Sequence, residues 1–196
     1  MSELEQAKRK DKKVYITDIA ISKVPFVKYK GFDDSKNEIM RNLAMDLLLV
    51  SKDENDSNEV AFTCDLSREN PLDEVGVAFG SEHEIDILSD TLSNHLIVSE
   101  KPVAVVVLHN HPSTQTFSLQ DIHFFLQYTK IAVMVVVSNQ GKIHYLMRDD
   151  NYNLEDAFEL FKECIHELEP GSSTKDLYLS ALSFLAKCSE VGLYYS

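Results

Sequence analysis

VAVVVLHNHPSTQTFSLQD, residues 103–121, followed by IAVMVVV at 131–137, is the stretch on which the fold turns. The two apolar runs, Val103 to Leu108 and Ile131 to Val137, are valine-rich and carry no polar alternation. Such runs suit strands buried on both faces of a sheet that helices cover. Ser118 to Lys130, between them, reads as a helix. The unit is therefore strand, helix, strand, at the centre of an α/β fold. Neither run approaches the ~18 apolar residues needed to span a bilayer, so no membrane segment or membrane partner is expected.

Working outward, Val14 to Ser22 and Val24 to Lys30 are β-branched and aromatic enough to be predicted as strands, with Pro25 placing the second at an edge or at its first residue. Ser35-x-x-Glu38 reads as a capping box, and Ile39, Leu43, Leu47 and Val50 follow at helical spacing, which predicts a helix over 36–51. A polar loop, Ser51 to Asn58, precedes two predicted strands, Glu59 to Leu66 and Glu74 to Phe79, joined by a turn around Asn70-Pro71. Glu84 to His95 reads as a helix with Ile85, Leu88 and Leu92 on one face. Beyond the central unit, Gly141 marks a turn into a strand, Lys142 to Arg148. The order predicts a three-layer α/β/α arrangement, a mixed sheet flanked by helices.

Residues 153–191 hold two amphipathic helices separated by Pro170-Gly171. The first carries Leu154, Phe158, Phe161, Ile165 and Leu168, the second Leu177, Ala181, Phe184, Cys188 and Val191. The near-3.5 spacing of the second suits packing on the chain's own core, and equally a helix pair or a homodimer seam. The expected organisation is a flexible basic tail (1–13), one α/β domain (14–150) and a helical extension (151–196).

The chain has 19 basic and 32 acidic side chains, a net charge of −13, so the bulk electrostatic term that drives nucleic-acid binding is repulsive and no nucleic-acid partner is expected. Lys8, Arg9, Lys10, Lys12 and Lys13 form the one basic cluster, in a hydrophilic N-terminus with no apolar segment behind it, which is not a secretory signal. Cys64, Cys164 and Cys188 are odd in number and form no C-x-x-C pair. That argues against a disulfide framework and a thiolate zinc site, and fits a reducing, cytoplasmic setting with all three as core residues.

His109 and His111 leave the end of a buried strand two residues apart, and in extended backbone such residues point to the same side. Asp121 falls in the first turn of the following helix, where its carboxylate can return toward the strand end. Two imidazoles and one carboxylate leave a tetrahedral zinc with an open fourth position for water, the construction of catalytic sites. Each signal alone has an ordinary reading; Ser118-x-x-Asp121 is also a helix N-cap. Together they sit at the C-terminal end of a buried strand, where α/β sheets place their sites, and Pro112 stops strand pairing so that the loop can turn over a metal.

The pattern Glu59, then His109-Asn110-His111-Pro112, then Ser118-Leu119-Gln120-Asp121 resembles the JAMM motif of the JAB/MPN metalloprotease superfamily, and its wording is closest to the RadC-like branch. The resemblance covers about two thirds of the chain, from about Val14 to Arg148. It implies the JAB/MPN (cytidine-deaminase-like) fold and one Zn2+ per chain on His109, His111 and Asp121. It also implies Glu59 as general acid/base on the zinc water and Ser118 as stabiliser of the oxyanion. The implied activity is hydrolysis of a peptide or isopeptide bond after the tail of a ubiquitin-like or other small protein.

Glu54, Glu69 and Glu74 compete with Glu59, but only Glu59 opens a predicted strand. The sequence departs from the family in three places. Five residues separate Pro112 from Ser118, one fewer than expected, and a tighter loop leaves open that Ser118 serves only as a cap. Asn110 stands where eukaryotic deubiquitinases carry Ser or Thr. The segments 67–73 and 149–152 are too short to be ubiquitin-gripping insertions. His83, His95, His123, His144 and His166 have no partner at ligand spacing, and His123 is about 200° round the helix from Asp121. Two other functions remain: a RadC-like protein acting with DNA-repair or mobile-element machinery, and a non-catalytic scaffold of the same fold.

Overall fold

The computed structural model describes residues 13–98 and 104–196. Six strands, β1 (Val60–Asp65), β2 (Gly76–Phe79), β3 (Val105–His111), β4 (Ile131–Ser138), β5 (Ile143–Arg148) and β6 (Leu193–Tyr195), form one sheet in the order β2-β1-β3-β4-β5-β6. Only β3 and β4 pair in parallel; every other neighbouring pair is antiparallel, so the sheet is mixed. The described α-helices are α1 (Asp18–Ser22), α2 (Asp34–Glu54), α3 (Thr91–Val98), α4 (Leu119–Gln127), α5 (Leu154–Ile165) and α6 (Thr174–Lys187).

The valine runs become the middle strands because they have no solvent face to offer. Every residue of β3 is buried, and alternate residues feed two separate cores. Val105 and Val107 pack with Phe117, Phe125, Leu160 and Phe184 beneath α3 to α6. Val106 and Leu108 pack with Met40, Leu43, Leu47 and Leu48 of α2 on the other face. Each of those four α2 side chains contributes about 1.5–3 kcal/mol through burial. The result is an α/β chain with helices on both faces of a mixed sheet.

Several sequence expectations are corrected. The segments 14–22 and 24–30 are not strands. Ile16, Ala20, Val24 and Tyr29 are buried while Tyr15, Ile19 and Phe26 are exposed, a spacing near four rather than two. They join neither edge of the sheet, and their backbone donors go elsewhere: Val14 N–H to Pro112 O (2.7 Å), Ile16 N–H to Ser57 Oγ (3.1 Å) and Tyr29 N–H to Asn37 Oδ1 (3.1 Å). Thr17 caps the short α1. Asp33, not Ser35, caps α2, accepting from Lys36 N–H at 2.8 Å.

The helix expected at 84–95 begins later. Asp86 caps a 3-10 turn at Ile87–Ser89, and Asp90 accepts from Ser93 N–H at 2.8 Å to open α3 at Thr91. In α5 the buried face is Ala157, Leu160 and Phe161, so of the stripe read from sequence only Phe161 is buried. In α6, Ala181 and Phe184 are buried as expected, but Leu177 is exposed. The residues after 151 also contribute β6, which the sequence reading did not contain: Leu193 pairs with Arg148 and Tyr195 with Leu146.

The predicted basic tail lies outside the described residues except for Lys13, which pairs with Asp56 at 3.1 Å. Cys64 and Cys188 are buried, Cys164 is half-buried, and all three are free thiols. Among the described residues no helix is long and apolar enough to cross a membrane.

Candidate metal centre

A parallel β3-α4-β4 unit carries the chain from the C-terminal end of one buried strand to the first turn of a helix, and this connection brings the three sequence-predicted ligands together. His109 and His111 project from one side of β3, and their Nε2 atoms face each other at 3.0 Å. Asp121 completes the group, with Oδ1 at 3.1 Å from His109 Nε2 and Oδ2 at 3.4 Å from His111 Nε2. Among the described residues this is the one group of three His, Cys, Asp or Glu side chains whose ligand atoms gather within 4.8 Å.

The donor set and its spacing fit a metal ion. Two zinc ligands with bonds of about 2.0–2.1 Å at tetrahedral angles lie roughly 3.3–3.4 Å apart. Two of the three observed separations, 3.0 and 3.1 Å, lie just below that range and the third, 3.4 Å, at its upper end. Two ring nitrogens that both carried a proton would repel at 3.0 Å, so at least one presents a lone pair to the space they share. His109 is completely buried, its Nδ1 has no hydrogen-bond partner, and His111 is 8% exposed. The group His109, His111 and Asp121 could therefore hold a metal ion, with His111 and Asp121 reaching the solvent side.

Ser118 fixes Asp121. Its Oγ accepts from Asp121 N–H (3.1 Å) and donates to Asp121 Oδ2 (2.7 Å), while Ser118 N–H donates to the same oxygen at 2.7 Å. This capping box opens α4 and aims the other carboxylate oxygen at His109. The loop from Pro112 to Ser118 is anchored by fully buried Phe117 and by a 3.1 Å hydrogen bond between Thr116 Oγ1 and Tyr195 Oη of β6.

Glu59 lies one residue before β1. The register pairs Ala61 with His109, so continuing it by two residues brings Glu59 level with His111 on the same face. Its backbone is held on both sides, the N–H by Ser81 O (3.0 Å) and the carbonyl by Gly80 N–H (2.8 Å). Glu59, His111, Ser118 and Asp121 line a cleft of about 900 Å³, with Glu84 and Ile85 from the loop after β2 and Leu177 and Tyr178 from α6. Of the competing carboxylates, Glu54, Glu69 and Glu74 do not line it.

Electrostatics follow from this burial. Burial pushes the Glu59 carboxyl up to about 8; His111 opposes the shift, and Asp121 and Glu84 add to it. Burial would also raise Asp121, but the His109 and His111 imidazoles prevail and hold it well below the usual carboxylate range. Burial would lower His111, yet Asp121, Glu59 and a backbone contact at Gln115 outweigh it and raise its pKa. A buried acid 8% exposed, beside a three-ligand group, is an arrangement suited to accepting and returning a proton.

Of the remaining histidines, His83 lines the cleft without joining the ligand group. His123 is exposed and faces Phe158 and Phe161 at ring distances of 6.2 and 5.8 Å, and His144 bonds Tyr195 Oη at 3.3 Å. Sequence reasoning treated Asn110 only as a departure from a motif and passed over Asn139, Ser51 and Ser57, all buried polar residues behind the site. Their signal was available in part: an asparagine inside an otherwise apolar strand must find partners. No family model, no curated protein and no solved structure matches the chain, so it is the donor set and its geometry that characterise this cleft.

Proposed function

We propose that the chain is a zinc-dependent hydrolase of peptide or isopeptide bonds, of the JAMM type and with a JAB/MPN-like fold, acting on the tail of a ubiquitin-like or other small protein. The observation that carries this reading is the meeting of His109, His111 and Asp121 at a cleft into which buried Glu59 also faces. Two neutral nitrogens and one carboxylate are the donor set of catalytic zinc, which leaves a position open to solvent. Bound there, zinc would supply a Lewis acid and lower the pKa of water toward ~7.

The chain's own residues supply the rest. Glu59, held by its backbone at the cleft wall, takes a proton from the attacking water and returns it to the leaving amine. Asp121 is kept anionic by its imidazole neighbours, and Ser118 orients it. If the Ser118 hydroxyl turns from Asp121 when substrate binds, it becomes the donor to the developing oxyanion. Among the charged side chains lining the cleft, Glu82, Glu84 and Asp121 outnumber Lys13, which disfavours a polyphosphate substrate and hence a nuclease reading.

The test is metal analysis of the purified protein, followed by incubation with ubiquitin-like and peptide conjugates with and without chelator. About one zinc per chain and chelator-sensitive cleavage at the conjugate bond are expected. Iron in place of zinc, metal-dependent cutting of DNA or RNA alone, or a zinc-loaded protein that cleaves none of these substrates would overturn the reading.

A further inference from the structure

Asn110 sits between the two histidines, but strand alternation turns it away from the cleft, to the other face of β3, where it is completely buried. We infer that Asn110 and Asn139 form a buried amide bridge whose task is to position Glu59, the residue read above as the proton acceptor. The inference rests on that reading for its consequence in catalysis and on hydrogen bonding for its geometry.

Backbone partners fix the identity of every atom in the bridge. Asn110 Oδ1 accepts from Val60 N–H at 2.7 Å, so Nδ2 is the end that faces Asn58 O (3.0 Å), Ser51 Oγ (3.1 Å) and Asn139 Oδ1 (2.8 Å). Asn139 Nδ2 then faces two carbonyls, Val14 O at 2.7 Å and Ser57 O at 2.9 Å, and Asn139 N–H donates to His111 O at 3.0 Å. One side chain therefore grips the carbonyl of residue 58 and the amide of residue 60, on either side of Glu59. A serine hydroxyl at position 110 could not span both.

The chain entering Glu59 needs such a grip. Asp56 and Ser57 have φ of 50° and 62°, a left-handed conformation that side chains other than glycine adopt reluctantly. Ser57 is held by its N–H on Ser51 O (2.8 Å), by Ile16 N–H on its Oγ and by Asn139 on its carbonyl. Ser51 Oγ closes the circuit by donating to Asn58 O at 2.6 Å. Four polar side chains thus occupy a place that apolar residues would fill more cheaply: Ser51, Asn110 and Asn139 bond the backbone of residues 57–60, and the Ser57 hydroxyl ties that segment to Ile16. A proton acceptor must lie within about 2.6–3.2 Å of its target, and a misplacement of about 1 Å can cost roughly 100-fold in rate.

The test compares Asn139→Ala with Glu59→Gln and with the double variant, using the zinc-loaded full chain and a conjugate that the wild type cleaves; Asn110→Ser serves as a second probe of the bridge. Asn139→Ala is expected to lower kcat by about 10- to 100-fold with KM and zinc affinity within about threefold of wild type, and to add no further loss in the Glu59→Gln background. Hydrogen exchange should quicken at the Glu59 and Val60 amides while β3 and β4 stay protected. An equal further loss in the Glu59→Gln background, or a fall in zinc affinity matching the fall in kcat, would overturn the inference. If the wild type cleaves nothing, the proposed activity fails by itself. Exchange and zinc affinity then still decide the bridge: faster exchange at 59–60 with zinc retained upholds it, and unchanged exchange refutes it.

Discussion

Ser118 Oγ donates to Asp121 Oδ2 at 2.7 Å, and that same carboxylate oxygen lies 3.4 Å from His111 Nε2. The helix cap and the metal ligand are thus one structural unit: Ser118 Oγ caps by accepting from Asp121 N–H, and its single hydroxyl proton serves either Asp121 Oδ2 or an oxyanion. Ser118→Ala is expected to lose about 1 kcal/mol of stability through the cap and to weaken zinc binding by roughly 10-fold through Asp121. Thermal melting and chelator competition measure the two. A fall in kcat with zinc affinity unchanged would instead assign the hydroxyl to the oxyanion.

His111→Ala should abolish stoichiometric metal binding and leave the circular dichroism of the α/β core close to wild type. Open catalytic sites contribute less to folding than closed structural ones. Full metal occupancy in this variant would refute the site.

Glu59→Gln should retain zinc and lose about 10²- to 10⁴-fold in kcat, because the amide preserves shape and cannot accept the proton. Activity assays on zinc-quantified protein check this, with Glu54→Gln, Glu69→Gln and Glu74→Gln as controls expected to behave as wild type.

In metal-free protein the Glu59 carboxyl is raised from 4.5 to about 8 by burial, so the folded state holds a proton that the unfolded state releases. Below about pH 4.5 both states are protonated and Glu59 costs nothing. As pH climbs toward 8 the unfolded state is increasingly favoured, and above it the penalty is complete. Melting of wild type and Glu59→Gln in chelator at pH 5, 7 and 9 should show the variant gaining over wild type with pH, by a few kcal/mol in order of magnitude at the alkaline end. Parallel curves would mean that Glu59 titrates as a solvated acid.

Gly141 turns the β4–β5 hairpin at φ +81°, and a Cβ there would meet Ala20 O at 2.4 Å. Gly141→Ala should lower the urea midpoint by the equivalent of about 1–3 kcal/mol, with zinc stoichiometry unchanged. An unaltered midpoint would show that α1 does not pack on this turn.

The legible features were those whose cause is local. A seven-residue apolar run such as Ile131 to Val137 has one arrangement that hides both its faces. His109 and His111 share a side because strand geometry has a period of two. Ser118-x-x-Asp121 announces a helix start by the same hydrogen bonds that later appear in the structure. The N-terminal segment shows the limit. Val14 to Lys30 has strand composition, but a strand needs an edge to pair with, and whether one is free is a property of the whole sheet.

By itself, then, the sequence determined the α/β class, the two central strands and the candidate ligand trio, since these follow from periodicity and from spacings of two and ten residues. Tertiary structure alone decided where Glu59 stands, because its alignment with His111 depends on the β1–β3 register. It also decided that Asn110 and Asn139 clasp the chain around it and that Tyr195, from the last strand, reaches Thr116 in the loop after the ligands. These contacts join residues 29 to 82 positions apart, and no local propensity encodes a partner at that distance: burial first closes the core, and the unmet hydrogen bonds inside it then choose their partners.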